Sequence, residues 1–255
     1  MKIDGAKAMV VGGASGMARA TAEMLVREGA RVAILDREVA RGEEAAAAIG
    51  GGTRFYQCDV TDFGAAEAAI RRAAGDLGGL HFGVNTAGGG IAKRTLTKEG
   101  AHPLDEFRAV IDLNLVASFN VARLQAECMA RNDADANGER GVILMTASIA
   151  AFEGQIGQVA YSAAKAGIAG MTLTMARDLG GLGIRVVTIA PSLFQTGLTA
   201  GIPKPMEDAL TKDAAFPKRM GRPDEYAHMA RAIFENPMMN GAVLRLDGGQ
   251  RFAPK

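Results

Sequence analysis

The chain has 255 residues, of which 48% are apolar and 22% are charged, enough apolar material for the core of one large α/β domain. Its net charge of +1 gives no basic field that would indicate nucleic acid or an anionic membrane as a partner. No apolar run reaches the length of a transmembrane helix. The first predicted strand starts so early that no room is expected for a signal or transit peptide.

Cysteines and histidines are few and scattered. Cys58 and Cys128 form no C-x-x-C motif or spaced framework, so a reducing, cytoplasmic location is expected. The three histidines have no cysteine or carboxylate at ligand spacing. We therefore expect no metal site.

Short β-rich runs alternate with longer helical patterns along the whole chain. The predicted strands span residues 6–11, 31–36, 54–59, 80–85, 141–146, 184–190 and 242–247. The predicted helices span residues 15–28, 38–49, 63–77, 104–129, 161–179 and 223–235. This alternation predicts an α/β fold, a Rossmann-type doubly wound parallel sheet of about seven strands within a single domain.

Ligands of such sheets bind beyond the carboxyl ends of the strands. Asn85, Ser148 and Pro191 all lie at predicted strand ends of this kind. Two polar stretches, residues 92–103 and 132–140, interrupt the alternation and are interpreted as solvated surface loops.

A glycine-rich segment, Gly12-Gly13-Ala14-Ser15-Gly16-Met17-Ala18, joins the first strand to the first helix. Small residues in this context let a pyrophosphate approach backbone N–H groups at a helix N-terminus. Asp36 ends the second strand, where a carboxylate can accept hydrogen bonds from both hydroxyls of an adenosine ribose. This carboxylate would repel a 2′-phosphate and favours NAD over NADP, although Arg37 beside it could instead recognise that phosphate.

A proton-transfer site is indicated by Ser148, Tyr161 and Lys165. Tyr161 and Lys165 stand four residues apart in a helix-favouring segment, so their side chains share one helical face. A neighbouring ammonium lowers the pKa of a phenol, which would make Tyr161 a usable general acid or base. Ser148 would hold a substrate oxygen beside it. A Y-x-x-x-K spacing alone also occurs by chance, and the glycine-rich segment is what favours the catalytic interpretation.

Together these residues resemble the short-chain dehydrogenase/reductase family over essentially the whole chain. The family pattern T-G-x-x-x-G-x-G is matched by Gly12 and Gly16, with Val11 in place of threonine and Ala18 in place of the last glycine. The remaining family motifs are matched in order by Asn85-Thr86-Ala87-Gly88, Asn114, Ser148, Tyr161 with Lys165, Pro191 to Thr196, and Asp247-Gly248-Gly249.

The resemblance implies an NAD-dependent oxidoreductase and assigns roles to its residues. Ser148, Tyr161, Lys165 and Asn114 form the implied catalytic set, in which Asn114 would anchor a water that relays protons from Lys165. The implied cofactor-binding residues are Gly12, Ser15, Gly16, Met17, Asp36, Asp59, Val60, Asn85, Thr86, Ala87, Gly88, Tyr161, Lys165, Pro191, Phe194 and Thr196.

A finer resemblance is to the short-chain type of 3-hydroxyacyl-CoA dehydrogenase, a group also described as a 17β-hydroxysteroid dehydrogenase. It implies interconversion of 3-hydroxyacyl-CoA and 3-ketoacyl-CoA, and thus a part in fatty acid metabolism. The implied substrate contacts are Ser148, Gln155, Gln158 and Tyr161. The candidate apolar wall for the acyl chain, in a mobile lid after the sixth strand, is Leu198, Ile202, Met206 and Leu210.

Other functions remain open at this level. A 3-ketoacyl carrier-protein reductase or a steroid or sugar alcohol dehydrogenase would use the same Ser148, Tyr161 and Lys165, while Asp36 argues against NADPH-dependent reductases. A dinucleotide-binding scaffold subunit is the alternative outside enzymes, and the intact proton-transfer set counts against it. The family resemblance implies a homotetramer, paired through helices 104–129 and 161–179 and through the last strand.

Overall fold

The computed structural model describes residues 1–197, 199 and 201–253. Its strands are β1 (Lys7–Val11), β2 (Arg31–Asp36), β3 (Arg54–Gln57), β4 (Phe82–Asn85), β5 (Leu96–Thr97), β6 (Gly100–Ala101), β7 (Gly141–Thr146), β8 (Ile184–Pro191) and β9 (Val243–Leu246). Seven of them form a parallel sheet in the order β3-β2-β1-β4-β7-β8-β9, and β5 and β6 form a separate hairpin. The predicted doubly wound sheet is confirmed.

Helices cover both faces of the sheet. They are α1 (Gly16–Arg27), α2 (Val39–Ile49), α3 (Phe63–Leu77), α4 (Leu104–Ile111), α5 (Ala117–Met129), α6 (Val159–Gly180), α7 (Lys204–Thr211) and α8 (Pro223–Glu235). One apolar core lies between the sheet and α3, α5 and α6, and a second lies between the sheet and α1 and α8. Central strands are buried on both faces, which explains their nearly continuous apolar sequences. None of the helices within the described residues is long and apolar enough to cross a membrane.

Strand register brings the predicted functional residues to one edge of the sheet. Val11 pairs with Asn85, and Asn85 pairs with Met145 on the next strand. Thr146 ends β7 beside Ile189 of β8. Because all these strands are parallel, their carboxyl ends open on the same side, and Ser148 follows there.

The segment predicted as one helix over residues 104–129 contains an irregular turn. A five-residue π-helical turn, Asp112–Val116, separates α4 from α5. Asn114 lies in it and is fully buried. Single π-turns are frequent at functional sites and carry no strong sequence signal, which explains why a regular helix was predicted.

Some elements lie in segments for which no element was predicted. The β5–β6 hairpin lies in the polar stretch after β4, and α7 lies in the proposed lid after β8. Helix α6 begins at Val159, two residues before the predicted start. Both catalytic candidates on it, Tyr161 and Lys165, therefore lie in its first two turns.

Candidate active site

Ser148 lies just beyond the carboxyl end of β7. It precedes a short 3-10 helix, Ile149–Ala151, and its Oγ accepts a hydrogen bond from the backbone N–H of Ala150 at 3.1 Å. The side chain is buried, with 9% of the residue exposed. The short helix thus fixes the position of the hydroxyl at the carboxyl edge of the sheet.

Tyr161 enters the site from α6. Burial raises the pKa of its phenol above the ordinary value, and a hydrogen bond with Ser148 acts in the opposite direction with a smaller effect. We expected Lys165 to lower the pKa of Tyr161. That expectation is wrong for the net shift, which is upward because desolvation of the phenolate outweighs the favourable contacts. Burial therefore favours the protonated phenol, the form that can donate a proton.

Lys165 is deeply buried at the same edge. Its Nζ donates a hydrogen bond to the carbonyl oxygen of Thr146 at 3.0 Å and lies 5.5 Å from the centroid of the Tyr161 ring. Burial lowers the pKa of Lys165 to about 8.

Across the sheet, the Thr146 hydroxyl forms a hydrogen bond with the Tyr226 hydroxyl at 2.7 Å. Tyr226 was not predicted to be a site residue. The apolar residues around it on α8 are the sequence signal that it is buried.

Asn114 connects the π-turn to the loop after β4. Its Nδ2 donates to the carbonyl oxygens of Gly89 at 2.6 Å and Val110 at 2.9 Å, and its Oδ1 accepts from the Gly89 N–H at 3.1 Å. Asn114 therefore holds this loop in place. Its role in anchoring a proton-relay water stays a prediction.

The loop after β4 crosses the site as three consecutive glycines. A Cβ added to Gly88 would lie 2.6 Å from Asn114 Oδ1 and 3.3 Å from Lys165 Nζ. A Cβ on Gly90 would lie 2.9 Å from the Tyr161 ring. Glycine is thus required at both positions for the backbone to approach the catalytic side chains. Gly90 was not recognised from the sequence, although the Gly88-Gly89-Gly90 run itself was a signal.

The glycine-rich segment forms the turn from β1 into α1. Gly12 has a φ of +81°, and a Cβ there would lie 2.9 Å from Thr86 Oγ1 and 3.0 Å from the Ala87 nitrogen. Gly16, with a φ of +56°, begins α1 and faces the Thr196 side chain. A cavity of about 530 Å³ opens between Gly16 and Thr196. Ser15 and Met17 flank Gly16, so a phosphate at this turn would meet the N-terminus of α1.

Asp36 is fixed beside this turn. Its Oδ2 accepts from the Ala14 N–H and its Oδ1 from the Glu38 N–H, both at 3.2 Å. Arg37 is mostly exposed and pairs with Glu38 at 3.3 Å. The carboxylate, rather than the guanidinium, is therefore the charge held at the end of β2.

Asp59 and Val60 lie just after β3, and their contact with a cofactor stays a prediction. Asp59 Oδ1 accepts hydrogen bonds from the Thr61 N–H at 2.9 Å and the Thr61 hydroxyl at 2.6 Å. These hydrogen bonds lower the pKa of Asp59. Val60 is buried, with 6% exposed.

Asn85 makes a contact that was not predicted. Its side-chain amide and that of Gln125 exchange two hydrogen bonds, at 2.9 and 3.0 Å, and both residues are buried. This pair connects β4 to α5. The Thr86 hydroxyl next to it donates to the Val11 carbonyl at 3.1 Å, so the turn that carries Ala87 and Gly88 is fixed from both sides.

The candidate residues after β8 separate into two groups. Pro191 ends the strand and Thr196 lines the cavity, whereas the Phe194 side chain is buried in the core and packs on Gly221. Of the candidate acyl wall, Ile202 lines the cavity, while Met206 and Leu210 are 56% and 38% exposed. Leu198 lies outside the described residues.

Gln155 and Gln158 are half-buried on the loop between Ser148 and α6. The Gln158 side-chain oxygen accepts from the Gln155 N–H at 3.0 Å, and Gln155 Nε2 donates to the Ala253 carbonyl at 3.4 Å. The structure thus connects this loop to the C-terminal segment. Direct contact of either glutamine with substrate stays a prediction.

Known proteins resemble the chain over its whole length. A family model described as short chain dehydrogenase matches residues 6–207. The human protein named 3-hydroxyacyl-CoA dehydrogenase type-2 is 48% identical over 254 residues, covering 99% of this chain and 97% of the human one. The crystal structure of 3-hydroxyacyl-CoA dehydrogenase type-2 from Mycobacterium avium has a TM-score of 0.94 at 42% identity and covers 100% of both chains.

A more distant structure carries bound ligands. A 7α-hydroxysteroid dehydrogenase complexed with NADH and 7-oxo glycochenodeoxycholic acid has a TM-score of 0.87 at 28% identity. The match covers 98% of this chain and 95% of that one.

Proposed function

The chain belongs to the short chain dehydrogenase family, and we propose that it is an NAD-dependent enzyme that interconverts 3-hydroxyacyl-CoA and 3-ketoacyl-CoA. The observation that carries this proposal is the arrangement of buried Ser148, half-buried Tyr161 and buried Lys165 at the carboxyl edge of the sheet. The substrate class is supported by the 48% identical human protein named for this activity and the 42% identical structure from Mycobacterium avium.

The residues at the carboxyl ends of β1 and β2 fit a dinucleotide. The β1–α1 turn leads into the N-terminus of α1 at Gly16, where backbone N–H groups can hold a pyrophosphate, and the fixed Asp36 carboxylate suits the hydroxyls of an unphosphorylated ribose. The distant relative that binds NADH supports the same cofactor. Bound there, NAD(H) would supply hydride transfer, while the protein supplies position and electrostatic field.

The proton chemistry belongs to Tyr161. For ketone reduction, its protonated phenol donates a proton to the substrate oxygen, which Ser148 holds by a hydrogen bond. For alcohol oxidation, Tyr161 must instead accept the hydroxyl proton. The raised pKa of Tyr161 favours the protonated form that ketone reduction needs, and alcohol oxidation gains as pH rises because it releases a proton.

Lys165 supports this chemistry from below the tyrosine ring. Its Nζ is held by the Thr146 carbonyl and has further donor capacity for a ribose hydroxyl. When protonated, it stabilises negative charge that develops on the phenol oxygen during oxidation. Its buried position excludes water, which strengthens this electrostatic effect.

Mixing the purified protein with NADH and acetoacetyl-CoA, and in the reverse direction with NAD and 3-hydroxybutyryl-CoA, tests the proposal. We expect a change in NADH absorbance in both directions that requires the CoA thioester, and a much weaker change with NADPH. If the protein turns over steroids or simple alcohols but no CoA thioester, the substrate assignment is contradicted, while the assignment as an oxidoreductase stands.

A second candidate substrate class is a hydroxysteroid. The observation in its favour is the 0.87 TM-score to the 7α-hydroxysteroid dehydrogenase, at 28% identity. The same Ser148, Tyr161 and Lys165 would act on a steroid alcohol. Competition between a 7α-hydroxysteroid and acetoacetyl-CoA at one site would show which is preferred.

We also propose a homotetramer. Large apolar side chains are exposed along the helices that family members use for pairing: Val116 is 37%, Phe119 49% and Leu173 47% exposed. The edge strand β9 is half-buried along its length and lies at the end of the sheet. Light scattering should report four copies for the parent and fewer for Phe119→Asp, whereas Leu96→Asp on the hairpin should leave the assembly unchanged.

We further propose that the enzyme works in the cytoplasm, in fatty acid metabolism. Two unpaired cysteines, one of them buried, suit a reducing compartment. The proposed acyl-CoA substrate suits that metabolism. Fractionation of cells that express the chain, followed by immunodetection, would test the location, and enrichment in an organelle fraction would contradict it.

A further inference from the structure

The C-terminal segment, residues 245–253, consists of the last two residues of β9 and the chain that follows, and it contacts the loop after Ser148. Gly248 and Gly249 have φ values of +58° and +73°, and Asp247 Oδ1 accepts a hydrogen bond from the Gly249 N–H at 2.9 Å. Such left-handed conformations favour glycine. The turn directs Gln250 into the interior, where only 2% of the residue is exposed. We call residues 245–253 the clasp.

On one side, the clasp holds the lid. Gln250 Nε2 donates to the carbonyl oxygen of Leu210 at 2.9 Å. Leu210 lies in the last turn of α7, where carbonyl groups lack partners within the helix, so a distant side chain supplies the missing donor. The Phe216 N–H also donates to the Gly248 carbonyl at 3.0 Å. Both α7 and the chain that follows it are thus attached to the clasp.

On the other side, the clasp holds the loop after Ser148. Arg245 forms a two-pronged hydrogen-bonded ion pair with Glu153, one contact of which measures 3.0 Å, and its guanidinium lies 5.2 Å from the Phe152 ring centroid. Its Nε donates to Asp247 at 2.7 Å. Bidentate pairs of this kind fix orientation as well as distance. The loop is therefore connected to the clasp only a few residues after Ser148.

We propose that the clasp sets the opening between α7 and the Ser148 loop, and that Gln250 and Arg245 are positioning residues for acyl-CoA binding. The inference rests on the proposed function, because it takes the acyl chain to enter between α7 and this loop. Neither residue touches Ser148, Tyr161 or Lys165. Loosening the clasp therefore weakens substrate binding and leaves the proton transfer intact.

Steady-state kinetics of Gln250→Met test the proposal, because methionine is similar in length but donates no hydrogen bond. We expect the KM for acetoacetyl-CoA to rise roughly three- to tenfold, the span that one hydrogen bond carries. The kcat and the KM for NADH should stay close to the parent values. Glu67→Gln, which removes an exposed ion pair with Arg71 on α3, away from the clasp, is the control and should leave all three constants unchanged. An unchanged KM for acetoacetyl-CoA, or an equal rise in the KM for NADH, would overturn the proposal.

Hydrogen exchange gives a readout that does not depend on turnover. Backbone amides of residues 204–211 should exchange faster in Gln250→Met, and those of residues 152–158 faster in Arg245→Met, relative to Glu67→Gln. Parent-like exchange in both variants would overturn the clasp. If the parent protein does not turn over acetoacetyl-CoA, the proposed function fails, and the exchange result still decides whether the clasp exists.

Discussion

Lys165 Nζ donates a hydrogen bond to the Thr146 carbonyl at 3.0 Å, and this contact joins the helix that carries Tyr161 to the strand that leads to Ser148. The contact is formed in an interior where burial lowers the pKa of Lys165 to about 8. Burying the charged form of Lys165 therefore costs folding free energy, and an apolar side chain at this position would avoid that cost. Such perturbed groups cluster at functional sites.

This cost predicts a pH dependence of stability. The unfolded chain holds the lysine proton up to its ordinary pKa of 10.5, whereas the folded chain releases it near 8. Between these values the unfolded state binds more protons, so this group makes the unfolding free energy rise with pH, by about 3 kcal/mol in total. Below pH 8 the full penalty remains. In urea denaturation, the unfolding free energy of Lys165→Met should gain less and less over that of the parent as pH rises from 8 to 10.5. A difference between the two free energies that stays constant over this range would refute the prediction.

The glycine loop offers a matched pair of substitutions. Gly88→Ala places a Cβ 2.6 Å from Asn114 Oδ1, whereas a Cβ on Gly89 has no heavy atom of the described residues within 4 Å. We expect Gly88→Ala to lower the unfolding free energy by about 1–3 kcal/mol through overpacking. Gly89→Ala should remain close to the parent in the same denaturation experiment. Equal stabilities of the two variants would show that the contact with Asn114 does not constrain the loop.

Cofactor preference is predicted to depend on the Asp36 carboxylate. Asp36→Asn keeps the shape and the contact with the Ala14 N–H but removes the negative charge. The Kd for NAD, measured by calorimetry, should rise roughly 10- to 100-fold, and discrimination against NADP should shrink. Glu38→Gln, an exposed neighbour, serves as the control and should bind NAD like the parent. Unaltered NAD binding in Asp36→Asn would remove this carboxylate from the cofactor site.

Much of the site could be predicted because its signals are local. The spacing of Tyr161 and Lys165 fixes a shared helical face, and the ends of apolar strand runs place Asn85, Ser148 and Pro191 at one edge. The glycine turn before α1 is equally local, because positive φ values and close backbone approach demand glycine at Gly12 and Gly16.

What could not be predicted depends on contacts between distant segments. The Asn85–Gln125 pair joins residues 40 positions apart, and Arg245–Glu153 joins residues 92 apart. The raised pKa of Tyr161 has the same origin, since spacing in the sequence shows the neighbouring lysine but not the depth of burial. The π-turn around Asn114 is a third case, because its sequence reads as regular helix.

The central claim is that the Tyr161 hydroxyl carries the proton of the reaction. The most direct measurement is the single-turnover rate of acetoacetyl-CoA reduction by Tyr161→Phe with saturating NADH, accompanied by its Kd for NADH. We predict that the rate falls by about 100- to 10,000-fold, because a general acid is lost, while the Kd for NADH stays within a fewfold of the parent. A folded Tyr161→Phe variant that reduces acetoacetyl-CoA at the parent rate would contradict the account.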